Sequence, residues 1–116
     1  MLPKKYRLPL RTELHRLKKN GQIYQGDFFG FLTAPQNASL GNSRFAFIVS
    51  NKIDKKAHHR NRLRRWLSAT ICFLISEIKP GLDGVFLAKK TAAQADYLQI
   101  EKDIKNIFKK AKLIIG

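Results

Sequence analysis

Four arginines fall within six residues, Arg60-Asn61-Arg62-Leu63-Arg64-Arg65, and they are the side chains in this chain best equipped for chemistry. A guanidinium is planar, permanently charged and able to hold a phosphate through two parallel hydrogen bonds. Lys52, Lys55, Lys56 and His58 stand just upstream, and no Asp or Glu occurs between Lys55 and Ser76. A solvated helix face normally mixes in acids. An acid-free run of this density reads instead as a grip for phosphate. Nothing beside it can break a bond. Catalysis by side chains needs a nucleophile next to a base, or paired carboxylates. The acids here are scattered: Glu13, Asp27, Asp54, Glu77, Asp83, Asp96, Glu101 and Asp103. Asp54 alone lies in the basic segment, where it is expected to orient the lysines. No Gly-rich phosphate loop is present. His15, His58 and His59 lack a Cys partner and metal-ligand spacing; next to arginine, the His58-His59 pair adds donors for phosphate. The chain reads as a binder without catalytic residues or a metal of its own.

The totals agree. Lys plus Arg number 23 against 8 acids, giving +15 and a pI near 10.4. Self-repulsion of that size points to a polyanionic partner: RNA, DNA or an anionic membrane surface. The longest apolar run is well short of the ~20 residues that span a bilayer, and the first residues lack a signal-peptide core. A cytoplasmic location with no membrane-spanning segment is expected. The single cysteine, Cys72, fits a reducing compartment and is expected to pack in the interior.

The basic segment must be positioned by the elements around it. Phe45-Ala-Phe-Ile-Val49 reads as a strand leading in. Leu63, Leu67, Thr70, Ile71, Leu74, Ile75 and Ile78 form the apolar stripe of a helix leading out, which begins near Ala57–His59 and ends before Lys79-Pro80-Gly81. On that helix Arg62, Arg65 and His58 fall on the solvent side and Arg64 at the edge of the apolar arc. Arg60 points inward in the first turn, and Trp66 and Phe73 flank the stripe. Residues 1–11 read as a basic extended arm. Thr12 is a candidate cap for a short helix to Lys19, which Asn20-Gly21 ends. Gln22–Thr33 is extended, with a possible break at Gly26; Phe29 and Phe31 share one face, and Phe28, Gly30 and Leu32 the other. The turn-rich segment 34–43 suits a hairpin to the next strand. Asp83-Gly84 opens a third strand, Val85–Ala88, and the long helix between makes a βαβ unit. Asp96, with Gln99 three residues on, predicts a capping box for a last helix with Tyr97, Ile100, Ile104, Ile107, Phe108 and Ala111 inward. Phe28, Tyr24 and Tyr6 could stack on unpaired bases, although core packing accounts for most of the phenylalanines. The whole, residues 1–116, is expected to be a single polyanion-binding domain of the α/β (α+β) sandwich class, which the resemblance below makes an RNA-binding domain.

The order of elements and Ala57-His-His-Arg-Asn-Arg-Leu-Arg-Arg65 resemble the bacterial ribonuclease P protein family and its RNR motif. Asn51-Lys52 stands at that family's Lys/Arg pair. Arg7-Leu8 with Glu13-Leu14 is similar to its N-terminal motif, and Asp83–Lys90 to its strand ending in basic residues. The resemblance covers nearly the whole chain. It implies a two-layer sandwich with a mixed, mostly antiparallel sheet of three to four strands and three helices. The implied order is α-β-β-(β)-α-β-α, with a left-handed βαβ crossover against the ~98% preference for the right-handed one. It also implies a ribonucleoprotein endonuclease whose RNA subunit, with bound magnesium, removes the 5′ leader of precursor tRNA. Arg60, Asn61, Arg62, Arg64 and Arg65 would then bind the catalytic RNA, with Lys55, Lys56 and His58 extending that face. Leu14, Lys18, Phe28, Lys52, Lys89 and Lys90 would line a leader cleft. Leu14 and Lys18 stand where the family often has Phe, so phosphate contact by Lys18 replaces stacking there. Ser68-Ala69 stands where the motif commonly continues Arg-Glu. The expected partners are the ribonuclease P RNA and precursor tRNA, with one protein copy per holoenzyme. The competing reading is a structural RNA-binding protein such as a ribosomal protein.

Overall fold

A strand that is dry on both faces belongs in the middle of a sheet, where neighbours on either side pair its backbone, and β4 takes that place. The structure, a computed structural model, describes residues 2–36 and 41–113. The elements are α1 (Leu10–Asn20), β1 (Gln22–Gln25), β2 (Phe29–Pro35), β3 (Arg44–Ile48), α2 (Ala57–Leu74), β4 (Leu82–Ala88) and α3 (Tyr97–Lys110). Short 3₁₀ turns occur at Lys4–Tyr6, Ile75–Glu77 and Lys90–Gln94. The sheet order is β1-β2-β4-β3; β3 and β4 run parallel and the other pairs antiparallel. This is the expected α+β arrangement of three helices on a mostly antiparallel sheet, and β3–α2–β4 links adjacent parallel strands.

The hairpin expected between β2 and β3 does not form, because β4 lies between them. Val85 and Phe86 are fully buried, and β2 pairs along the whole of β4, from Phe29↔Ala88 to Pro35↔Leu82. The hairpin in the fold is β1–β2, turning at Gly26. Residues 37–40 of the expected connection lie outside the described residues.

Strand alternation divides the interior in two. Phe29, Phe31, Phe45 and Phe86 meet the stripes of α2 (Leu63, Leu67, Ile71) and α3 (Ile100, Ile104, Ile107, Phe108) on one face. The Phe31 ring lies 4.5 Å from Phe86 and 5.6 Å from Phe108. A Cβ at Gly84 would run into that ring, so the position requires glycine. Leu32, Ala34, Ala46 and Val85 face the other way and are covered by Leu8 and by Leu17 of α1.

The N-terminal residues are docked rather than an extended arm. Leu2 and Leu8 are buried, the Leu8 N–H donates to the Phe45 carbonyl at 2.9 Å, and Arg7 bridges Phe45 in parallel register. The open edge of β3 supplies the backbone partners. Helix α1 also starts earlier than Thr12. Pro9 stands at its N-cap without a side-chain cap, and the Thr12 hydroxyl donates back to the Pro9 carbonyl at 3.3 Å. The capping box of α3 forms as expected: the Asp96 carboxylate accepts from the Gln99 N–H at 2.8 Å, and Gln99 Oε1 accepts from the Asp96 N–H at 3.0 Å. Cys72 is exposed, not packed. It sits about 100° around the helix from the fully buried Ile71.

Candidate nucleic-acid interface

The segment between β3 and α2 carries seven cations in seventeen residues, Asn51 to Leu67, and would repel itself into a mobile coil without internal partners. Several hold it. Asp54 accepts the Lys56 N–H at 3.0 Å and faces His59 Nδ1 at 2.9 Å. Those two contacts, the Lys56 amide first, hold the Asp54 carboxyl below its usual range. Arg60 Nη1 donates to the Asp54 and Lys55 carbonyls, both at 2.9 Å. Arg64 donates to the Val49 carbonyl and to Asn61 Oδ1, both at 3.1 Å. Two of the four arginines therefore fasten the loop to the helix and present the rest.

Lys52, Lys55, Lys56, His58, Asn61 and Arg65 are exposed. Arg65 has no partner among the described residues. Arg62 departs from the helical-wheel expectation. It is half-buried, its guanidinium lies 5.0 Å from the Trp66 ring centre, and its Nε is buried without a hydrogen bond. Trp66 stands one turn on, wedged edge-on against Tyr97 at 6.0 Å, and offers a planar cation its preferred face. Charge and exposure thus converge on Arg65, with the lysines and His58 upstream.

A second feature lies on the α1 side of the sheet. Ile48, Leu87 and Gly30 stand in register across β3, β4 and β2. Leu14, Ile48 and Leu87 are only half-buried, so α1 and the sheet leave an apolar trough between them. Lys18 is exposed on the helical wall, and Lys52 follows β3. Lys89 follows β4, but its Nζ donates to the Gly26 carbonyl at 2.6 Å, so it braces the β1–β2 turn; Lys90 beside it is exposed. Phe28 is not in this trough. It packs with the α2/α3 core and lines a hollow with Gln99, Lys102 and Asn106 of α3. The cause is Asp103, which accepts the N–H groups of Asp27, Phe28 and Phe29 at 2.8, 3.0 and 3.2 Å and draws the turn onto α3.

Two of the acids that look scattered in sequence are therefore structural. Asp103 is buried on the inward side of α3, three residues after Ile100 and one before Ile104, and that placement was readable in the sequence. Asp83 is also buried. It takes hydrogen bonds from Arg44 Nε (3.0 Å) and Nη2 (2.8 Å), from Arg16 Nη2, and from Gln36 Nε2 at 3.1 Å. Glu13 closes the cluster on Arg44 at 3.0 Å. The hydrogen bonds that Arg44 donates to Asp83 raise the pKa of Arg44 against the opposing effect of burial. This cluster ties α1, one wall of the trough, to β3 and β4. Among the described residues no group of His, Cys, Asp or Glu could hold a metal ion, and no helix is long and apolar enough to cross a membrane.

A family model described as Ribonuclease P matches residues 2–112. The chain is 33% identical over 116 residues to the ribonuclease P protein component of Pseudanabaena sp., covering 100% of this chain and 99% of that one. It is 36% identical over 112 residues to the Fusobacterium nucleatum protein of the same name, covering 87% and 100%. The fold matches the RNase P protein of Staphylococcus aureus, in a mutant with defective mRNA degradation activity, at a TM-score of 0.88 and 24% identity over 96% of this chain and 92% of that one. It matches the Thermotoga maritima RNase P protein, solved with 1-(4-fluorophenyl)-2-thiourea, at 0.81 and 26% over 90% and 98%. With the RNR run fastened as a cationic face beside an apolar trough, and with relatives aligned from end to end, this chain belongs to the ribonuclease P protein family.

Proposed function

We propose that this chain is the protein subunit of a cytoplasmic ribonuclease P, one copy binding the catalytic RNA through α2 and the 5′ leader of precursor tRNA through the trough. One observation carries the reading: an acid-free cationic face is locked to the fold by Arg60 and Arg64 while Arg65, Lys55, Lys56 and His58 stay exposed. Such a face neutralises phosphates, which lets two RNAs approach each other and releases counterions. Leu14, Ile48 and Leu87 give the leader an apolar floor, while Lys18, Lys52 and Lys90 supply phosphate contacts at its margin. Lys89 contributes charge from its braced position. The carboxylate nearest the face, Asp54, is committed to Lys56 and His59. On this reading magnesium would be held mainly by the RNA subunit and would supply activation of the attacking water. The chain's own part is to bind, orient and screen charge.

The test is cleavage of precursor tRNA by the cognate RNA subunit at low magnesium, with and without the protein. Stimulation, with product ending at the mature 5′ nucleotide, is the expected result. RNA binding without stimulation would move the chain to a purely structural role.

A further inference from the structure

Beside the arginine face is a cavity that the leader and catalytic-RNA contacts above do not use. Its volume is about 230 Å³, and it lies between the docked N-terminal residues, the outer edge of β3 and the first half of α2. Leu2, Leu8 and Phe47 line it with apolar surface, and Arg7, Arg64 and Ser68 supply its polar groups. Ser68 is 4% exposed, yet its hydroxyl has no hydrogen-bond partner among the described residues. The hydroxyl oxygen stays accessible and can bond a group that enters the cavity. The short serine side chain leaves the hollow open.

We propose that this cavity takes one unstacked nucleobase of the bound RNA, with its phosphate held by Arg7 at the rim. The inference rests on the RNA-binding reading above and adds a base contact to it. The volume falls below the ~300–1,000 Å³ of sites for drug-sized ligands, which suits a single ring system. Phe47 is half-buried and lines the cavity, and unpaired bases stack on aromatic side chains. Ser68 can donate to or accept from the edge of a base. Arg7 spends its Nε on the Leu2 carbonyl at 2.6 Å, and its other guanidinium nitrogens have no partner among the described residues. Arg64 lines the cavity and Arg65 follows it about 100° around α2, which puts the cavity next to the exposed arginine. A base fits better than an acidic peptide because the cavity sets aromatic side chains beside cationic ones, in a chain of charge +15.

Isotope-labelled protein should be titrated with the four nucleoside monophosphates and, separately, with inorganic phosphate. At least one nucleotide should shift the Leu2, Leu8 and Phe47 signals, and phosphate alone should not. Ser68→Leu fills the cavity and deletes the hydroxyl, and should abolish those shifts. The same variant should bind the cognate RNA subunit about 5- to 150-fold more weakly, the loss of one base stack, with its salt dependence unchanged because no phosphate contact is removed. Phe47→Leu, which keeps an apolar floor, gives a second reading of the same loss should Ser68→Leu fold poorly. Equal shifts from phosphate alone would reduce the site to an anion contact and overturn the proposal. So would nucleotide binding with unaltered RNA affinity, which would mark a site for free nucleotide. So would shifts that track protein concentration without ligand, which would mean a second copy fills the slot. Tight RNA binding by both wild type and variants would sink this site alone; no RNA binding by wild type would sink the parent reading.

Discussion

Replacing Asp83 by Asn tests the cluster that holds α1 to the sheet. The shape is kept, but one carboxylate oxygen becomes an NH₂ group facing guanidinium donors. Asp83 is fully buried, and Arg16 and Arg44 are only 12% and 17% exposed. After the change the two cations keep Glu13 alone. Breaking a buried ion pair from one side costs about 3–5 kcal/mol. Partial solvation of the arginines favours the low end, about 3 kcal/mol. An unfolding entropy of about 2.1 cal/mol/K per residue gives about 0.24 kcal/mol/K for this chain, so the midpoint should fall by about 12 °C. Thermal and urea unfolding followed by circular dichroism would measure it, and an unchanged urea m-value would show that the unfolded state is the same. A double-mutant cycle with Arg44→Ala should give a coupling above about 1 kcal/mol. Precursor with a leader should lose more affinity than mature tRNA, because α1 is a wall of the trough. A loss of stability under about 1 kcal/mol, the size of an exposed pair, would refute the claim that this cluster fixes α1.

Three further outcomes are expected. Arg65→Ala should lower the log–log salt slope of RNA binding by about 0.7 to 0.9 with unfolding unchanged, whereas Arg62→Ala, which strips the cation from Trp66, should cost about 0.5–1 kcal/mol of stability; both are read from salt titrations and melts. Lys18→Ala should weaken leader-bearing precursor more than mature tRNA in binding assays, and equal weakening would remove Lys18 from the leader path. Asp54 has a depressed pKa in the fold, so its hold on the Lys56 amide is complete above the unfolded carboxylate pKa of about 3.9 and is lost as the pH falls through the lower folded value; amide NMR of Lys56 should show that step in wild type and not in Asp54→Asn.

The cationic face, the α2 stripe, the strand alternation and the α3 capping box were legible in the sequence, because each depends on residues a few positions apart. Cys72, expected in the interior, and Asp103, taken as a scattered acid, were misread, although helical phase alone puts one outward and the other inward. Other features depend on chain that returns from far away. Asp83 meets Arg16 across 67 residues, and Asp103 meets the Asp27 amide across 76. No local pattern marks such pairs. The same holds for β4 parting β2 from β3, and for Leu2 and Leu8 docking on the edge of β3. Those placements follow from which surfaces remain to be buried, and which backbone groups remain to be paired, once every element is present. The sequence by itself determined that the chain carries a phosphate-binding helix. The tertiary structure decided which arginines are free to use it, because that depends on what else each guanidinium can reach.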